Sequence, residues 1–121
     1  MTERDTARSL AHPEVAEIRL EGVLHALSDP VRLSIVLDLA ASAEDLSCSH
    51  FDLPVTKSTT THHFRVLRES GVVRQAYRGT TKLNALRRDD LEALFPGLLD
   101  SVLTAAEAET ARLSEAAVPG R

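Results

Sequence analysis

The 17 residues from Val55 to Gly71, VTKSTTTHHFRVLRESG, constrain the fold more than any other part of the chain. At about 100° per residue, Thr60, His63, Phe64 and Leu67 share one face, close to the i, i+3, i+4, i+7 spacing of a buried helical stripe. Ser58, Thr61, His62 and Arg65 fall on the other side, and Lys57 stands at the open N-terminal end. Thr56 is placed to cap this helix, and Gly71 to end it as a glycine just past the C-cap does. A surface helix ordinarily carries Glu/Lys pairs; this one carries hydroxyls, an imidazole and cations. Such donors suit the DNA major groove, where base edges and phosphates supply mainly acceptors. After Gly71 the period changes to two. Val72 to Tyr77 and Thr81 to Leu86 read as strands around a turn at Arg78-Gly79-Thr80, with Leu83 inward. The hairpin would carry Arg78 at its tip and Lys82 on its flank.

Charge follows the same division. The whole chain has a net charge of −4, which by itself argues against a nucleic-acid partner. Between Pro54 and Arg88, however, the basic residues are Lys57, Arg65, Arg68, Arg74, Arg78, Lys82, Arg87 and Arg88, and the single acid is Glu69. A solvated cationic surface gives the same count, so the charge alone does not decide. Set on the donor-faced helix and the hairpin, it is the electrostatic footprint of one basic face on an acidic body.

The rest of the chain is helical and supplies one modest core, as 121 residues with 43% apolar content allow. Residues 1–12 read as a flexible tail. A first helix begins near Pro13 and repeats Leu20, Leu24 and Leu27 at i, i+4, i+7. Ser28-Asp29-Pro30 is a break and restart, with Asp29 as cap and Pro30 at the first helical position. A second helix, VRLSIVLDLA, follows. Leu46 to Asp52 is a short helix, and Leu53-Pro54-Val55 its turn into the helix described above. Asp89-Asp90 caps another helix, Pro96-Gly97 interrupts it, and a last helix carries Leu99, Val102, Leu103, Ala106, Thr110 and Leu113 in one stripe. The domain spans 13–115, and 116–121 is a second tail. The fold class is therefore mostly α with a small β-hairpin wing, a winged helix-turn-helix. In so small a chain, the closing stripe and the first helix read as a homodimer interface made by Leu20, Leu24, Leu99, Val102, Leu103 and Ala106.

Two stretches resemble a known family. ALSDPVRLSIVLDLA, Ala26 to Ala40, is similar to the A-L-x-D-P-x-R-x-x-I-L-x-x-L motif of ArsR-type bacterial repressors. VTKSTTTHHFRVLRESGVV, Val55 to Val73, is similar to their L-S-x-S-x-x-S-H-H-L-x-x-L-x-x-x-G-L-V recognition helix. The resemblance covers about Val15 to Leu103. It implies a small homodimer that binds an inverted-repeat operator in double-stranded DNA, with recognition helices in successive major grooves. The family's DNA-facing positions fall on Lys57, Ser58, Thr61 and His62, and its wing tip on Arg78. With the neighbouring Thr59 and the cations Arg65 and Lys82, these are the expected DNA-binding residues.

The chain departs from the family where metals are sensed. The family's metal-binding cysteine pair falls here on Ser47 and Ser49, with the lone Cys48 between them, and no histidine follows His63. No metal or other cofactor is therefore expected. A response to zinc, cadmium or arsenite is not expected either, since a thiophilic site needs two or three converging thiolates. His62-His63 is not a chelating pair, because adjacent helical side chains point about 100° apart. Cys48 is a small core residue or a redox thiol, and the effector remains open: a small organic molecule, oxidation at Cys48, or none. Ser58 and His62 stand one turn apart without a nucleophile elbow or an orienting acid, so the chain does not read as an enzyme. The alternative function is a winged-helix protein-interaction module without DNA binding. With no apolar run near 18 residues, no signal-type leader and one cysteine, the reading is a cytoplasmic protein with no membrane partner.

Overall fold

The computed structural model describes residues 8–116. Its elements are β1 (Arg8–Ser9), α1 (Leu20–Leu27), α2 (Pro30–Ala41), β2 (Leu46–Ser47), α3 (Lys57–Glu69), β3 (Val73–Arg78), β4 (Thr81–Leu86), α4 (Arg88–Leu94) and α5 (Leu98–Ala116), with single 3₁₀ turns at Val15–Glu17 and Cys48–His50. This is a mostly α winged helix-turn-helix. Its wing is larger than a hairpin: β1 and β2 flank the β3–β4 pair in an antiparallel sheet of order β1-β3-β4-β2.

The restart at Asp29 follows from local chemistry. One carboxylate oxygen of Asp29 accepts from Val31 N at 2.8 Å and Arg32 N at 3.0 Å, and Pro30 opens α2 where no backbone donor is needed. Burial raises the Asp29 pKa, but the Arg32 and Val31 N–H donors and the nearby Arg32 guanidinium outweigh it and leave it lowered. Arg32 is itself buried. Its Nε donates to Ala26 O at 2.8 Å, its Nη2 to His25 O at 3.3 Å, and its Nη1 to His63 Nδ1 at 3.1 Å. Since arginine only donates, Nδ1 of His63 is the acceptor there. One guanidinium thus satisfies carbonyls at the end of α1 and holds the inner face of α3. Around it, Val23 and Ala26 of α1, Ile35 and Val36 of α2, Phe64 and Leu67 of α3, and Leu99 and Leu103 of α5 form the core.

Gly71 ends α3 as expected. Val72 N donates to Leu67 O at 3.0 Å and Gly71 N to Arg68 O at 3.1 Å, with φ of +89° at Gly71. These two bonds are the Schellman pattern, and both Val72 and Leu67 are fully buried in the core.

Several expectations need correction. The first helix does not begin at Pro13: a 3₁₀ turn at Val15–Glu17 ends at extended Ile18, and α1 starts only at Leu20. Leu46 to Asp52 is not a helix. Leu46 and Ser47 pair with Asn84 and Leu83, and only one 3₁₀ turn stands before α3. Leu83 does not point inward; it lies opposite Ala76, whereas Gln75 and Asn84 face each other fully buried. Arg87, not Asp89-Asp90, holds the N-cap position of α4. The expected N-terminal tail contains β1, whose Arg8 and Ser9 pair with Tyr77 and Ala76. α5 runs on to Ala116; residues 1–7 and 117–121 lie outside the described part.

His12 ties the N-terminal segment to the wing, its Nε2 accepting from Gln75 N at 2.9 Å. Burial lowers its pKa below 6.5, helped by Arg87, Arg74 and Arg68 and opposed by a hydrogen bond to the Leu10 backbone. Because the folded value is the lower one, the neutral ring stabilises the fold above pH 6.5, and that contribution is lost as pH falls through the folded pKa. A His12→Gln variant, which cannot titrate, should therefore lose less stability than the wild type between pH 7.5 and 5 in denaturation curves. Parallel pH profiles would contradict this.

Candidate nucleic-acid interface

Thr56 caps α3, its Oγ1 accepting from Thr59 N at 3.3 Å. The inner face buries His63, Phe64 and Leu67 and leaves Thr60 half-buried. The outer face exposes Lys57, Ser58, Thr61, His62 and Arg65 to solvent. Two hydroxyls differ from the donor reading. Thr61 Oγ1 donates to Lys57 O at 3.1 Å, so it offers a methyl group and lone pairs outward rather than a proton. Thr59 is half-buried, and its hydroxyl accepts from Thr56 Oγ1 at 3.0 Å within the cap. Ser58 also leans on the cap, 3.3 Å from Thr56 Oγ1, but stays exposed.

The wing extends the same face. β3 ends at Arg78 and β4 begins at Thr81, so the loop is the two residues Gly79-Thr80, with φ of +64° at Gly79. A positive φ at the first loop residue suits the twist of a tight hairpin, and only glycine adopts it without strain. Arg78 is exposed at this tip. Lys82 lies half-buried on the flank, its Nζ 5.4 Å from the Tyr77 ring centroid.

The eight basic residues of this region do not all belong to one face. Arg87 Nε meets Asp90 Oδ2 at 2.9 Å and its Nη1 donates to Pro13 O; Arg74 also reaches Asp90, and Arg88 reaches Asp100. These three brace α4 and α5. Among the described residues, no carboxylate lies within ion-pair distance of Lys57, Arg65, Arg68, Arg78 or Lys82. The cations left unneutralised are those on α3 and the wing, which is the pattern of a surface kept for phosphates.

The remaining expected site residues fall elsewhere. Cys48 is half-buried, with Asn84 Nδ2 3.3 Å and Gln75 Nε2 3.9 Å from Sγ. Ser47 and Ser49 hydroxyls lie 3.1 Å apart, hydrogen-bonded to each other. Two hydroxyls and one thiol are a poor donor set for the thiophilic ions that the family's cysteine pair holds. Of the expected interface residues, Leu99, Leu103 and Ala106 are buried within the chain itself, in the core that α5 forms with α2, and so cannot present a stripe to a partner. Val102 is half-buried, whereas Leu20 and Leu24 are 44% and 46% exposed. Leu113, on the outer part of α5, is 60% exposed. Sequence reasoning missed the buried Arg68–Gln75–Asn84 chain, which joins α3 to both wing strands; polar residues in a short alternating strand give no signal that they face inward.

Comparison with known proteins agrees with this geometry. A family model described as a helix-turn-helix domain matches residues 27–76, from the end of α1 into β3. A relative, the uncharacterized HTH-type transcriptional regulator YceK of Bacillus subtilis (strain 168), is 34% identical over 82 residues, covering 66% of this chain and 82% of the relative. The crystal structure of an ArsR family transcriptional regulator superposes with a TM-score of 0.56 at 22% identity, covering 79% of this chain and 96% of the other.

Proposed function

The chain belongs to the HTH-type transcriptional regulators, DNA-binding proteins, and has the winged-helix fold of an ArsR family member; from that premise we propose that it is a homodimeric repressor acting on an inverted-repeat operator in the bacterial cytoplasm. The observation that carries this reading is the continuous exposed face of α3 and wing, whose cations have no acidic partners among the described residues. Ser58, Thr61 and His62 stand where base edges would lie. Lys57, Arg65, Arg78 and Lys82 surround them as phosphate contacts. Such an unneutralised face favours a polyanion over a neutral protein partner, and no catalytic role is assigned to any residue.

Dimerisation in this reading uses the apolar surface that the protomer leaves uncovered: Leu20 and Leu24, one turn apart on α1, and Leu113 on α5, with half-buried Val102 on the same helix as Leu113. Pairing through these helices at the two ends of the domain would leave both α3 faces free for DNA.

The test begins with selection of a binding site from random duplexes. Replacing Ser58 and His62 together by Ala should then weaken binding to the selected site by roughly 1–3 kcal/mol per base edge that each side chain reads. Unchanged affinity in a variant that keeps its fold would remove the groove assignment.

A further inference from the structure

Between α3 and the sheet lies a cavity of about 270 Å³. Its lining combines three cations, Arg65, Arg68 and Lys82, with the apolar surfaces of Leu10, Phe64 and Cys48. Among the described residues none of the three cations has a carboxylate within ion-pair distance. Arg68 is the one with a buried nitrogen left without a partner. Its Nη1 donates to Gln75 Oε1 at 2.6 Å, but its Nε is buried without an acceptor. Gln75 is neutral: it orients the guanidinium and leaves its charge in place. A desolvated donor and an unbalanced charge are both costly, and an anion entering the cavity would relieve the charge imbalance.

We infer that this cavity is the effector site of the regulator and takes a small organic monocarboxylate, the carboxylate toward Arg68, Arg65 and Lys82 and a short hydrocarbon or aromatic body against Leu10, Phe64 and Cys48. Phosphate matches only the charged half of that lining. The volume, about 270 Å³, falls just below the usual range for ligand pockets, roughly 300–1,000 Å³, which favours a ligand of few heavy atoms. The regulatory consequence rests on the DNA-binding reading above. Arg65 and Lys82 belong to both the cavity and the DNA face, so a bound carboxylate neutralises cations that would otherwise meet phosphates. Release of DNA then follows from binding that favours the DNA-free protein.

The test is a ¹H–¹⁵N NMR titration of the full, reduced chain with benzoate, alongside benzyl alcohol and inorganic phosphate at matched ionic strength. Benzoate should give saturable shifts centred on the amides of Thr60, Thr61, Arg68 and Gln75. Benzyl alcohol and phosphate should each bind at least about tenfold more weakly, since the first lacks the charged hydrogen bond and the second the apolar body. Arg68→Gln removes the inner charge; Leu10→Trp fills the cavity while keeping Arg68, Gln75 and Asn84 in the chain, and decides the matter if the first variant fails to fold. Each should weaken benzoate by about tenfold or more. No saturable shifts, or phosphate binding as well as benzoate, would overturn the inference. DNA affinity of the ligand-free protein is measured separately. A chain that binds benzoate here but no DNA defeats the regulator reading and keeps the site; one that binds DNA but not benzoate defeats the site alone.

Discussion

Arg32→Met should destabilise the fold by about 3–5 kcal/mol, because it removes three hydrogen bonds from a charged donor and leaves Ala26 O and His63 Nδ1 unpaired, while His25 O keeps Ser28 N and Oγ. The acceptors are Ala26 O, His25 O and His63 Nδ1, on α1 and α3, while Arg32 itself belongs to α2. Methionine keeps much of the packed volume, so the destabilisation reports the polar interactions rather than a cavity. A domain of this size has only about 5–15 kcal/mol in hand, so the variant should sit close to its unfolding transition at moderate denaturant concentration. Arg19→Met is the comparison. Its guanidinium is largely exposed and pairs only with exposed Glu21, so its removal should fall within about 1 kcal/mol of zero. Urea unfolding of the two variants checks this, and a cost below about 1 kcal/mol for Arg32→Met would show that its hydrogen bonds add no net stability.

Gly71→Ala should cost about 2–5 kcal/mol, by two separable routes. The φ of +89° disfavours any Cβ by roughly 1–2 kcal/mol. A Cβ there would also lie 2.5 Å from Ile18 Cγ1 and 2.6 Å from Cδ1, and overpacking of that kind typically costs roughly 1–3 kcal/mol. Gly79 provides the control: its φ is +64°, but an added Cβ meets nothing within 4 Å. Gly79→Ala should therefore show the conformational part alone. Equal unfolding midpoints for the two variants would mean that Ile18 moves aside freely.

Where the chemistry was local, the sequence was legible. Asp29-Pro30 could be read as a cap and a first-turn proline because each acts on backbone one to three residues away. Gly71 could be read as a helix stop for the same reason, and the two faces of α3 followed from a thirteen-residue helix long enough to show its period. The failures are tertiary. Leu46–Ser47 and Arg8–Ser9 are strands because β4 and β3 offer them free edges, and two residues have no period of their own. Leu99, Leu103 and Ala106 form an apolar stripe, but a stripe does not say whose core it enters; the packing of α5 on α2 does. The basic block was legible as charge. Which of its members are free was not, since that depends on Asp90 and Asp100 arriving beside Arg74, Arg87 and Arg88.

For the donor face itself, the most direct measurement is a hydroxyl-radical footprint of the wild-type protein on its selected duplex. Two α3 helices related by a two-fold axis should protect two patches about 34 Å, one DNA turn, apart, symmetric about a common centre. Flanking backbone protection should disappear in Arg78→Ala if the exposed wing tip contacts phosphate as proposed. A single protected patch, or protection that survives reversal of charge at Lys57, Arg65 and Arg78 together, would contradict the assignment of this face to DNA.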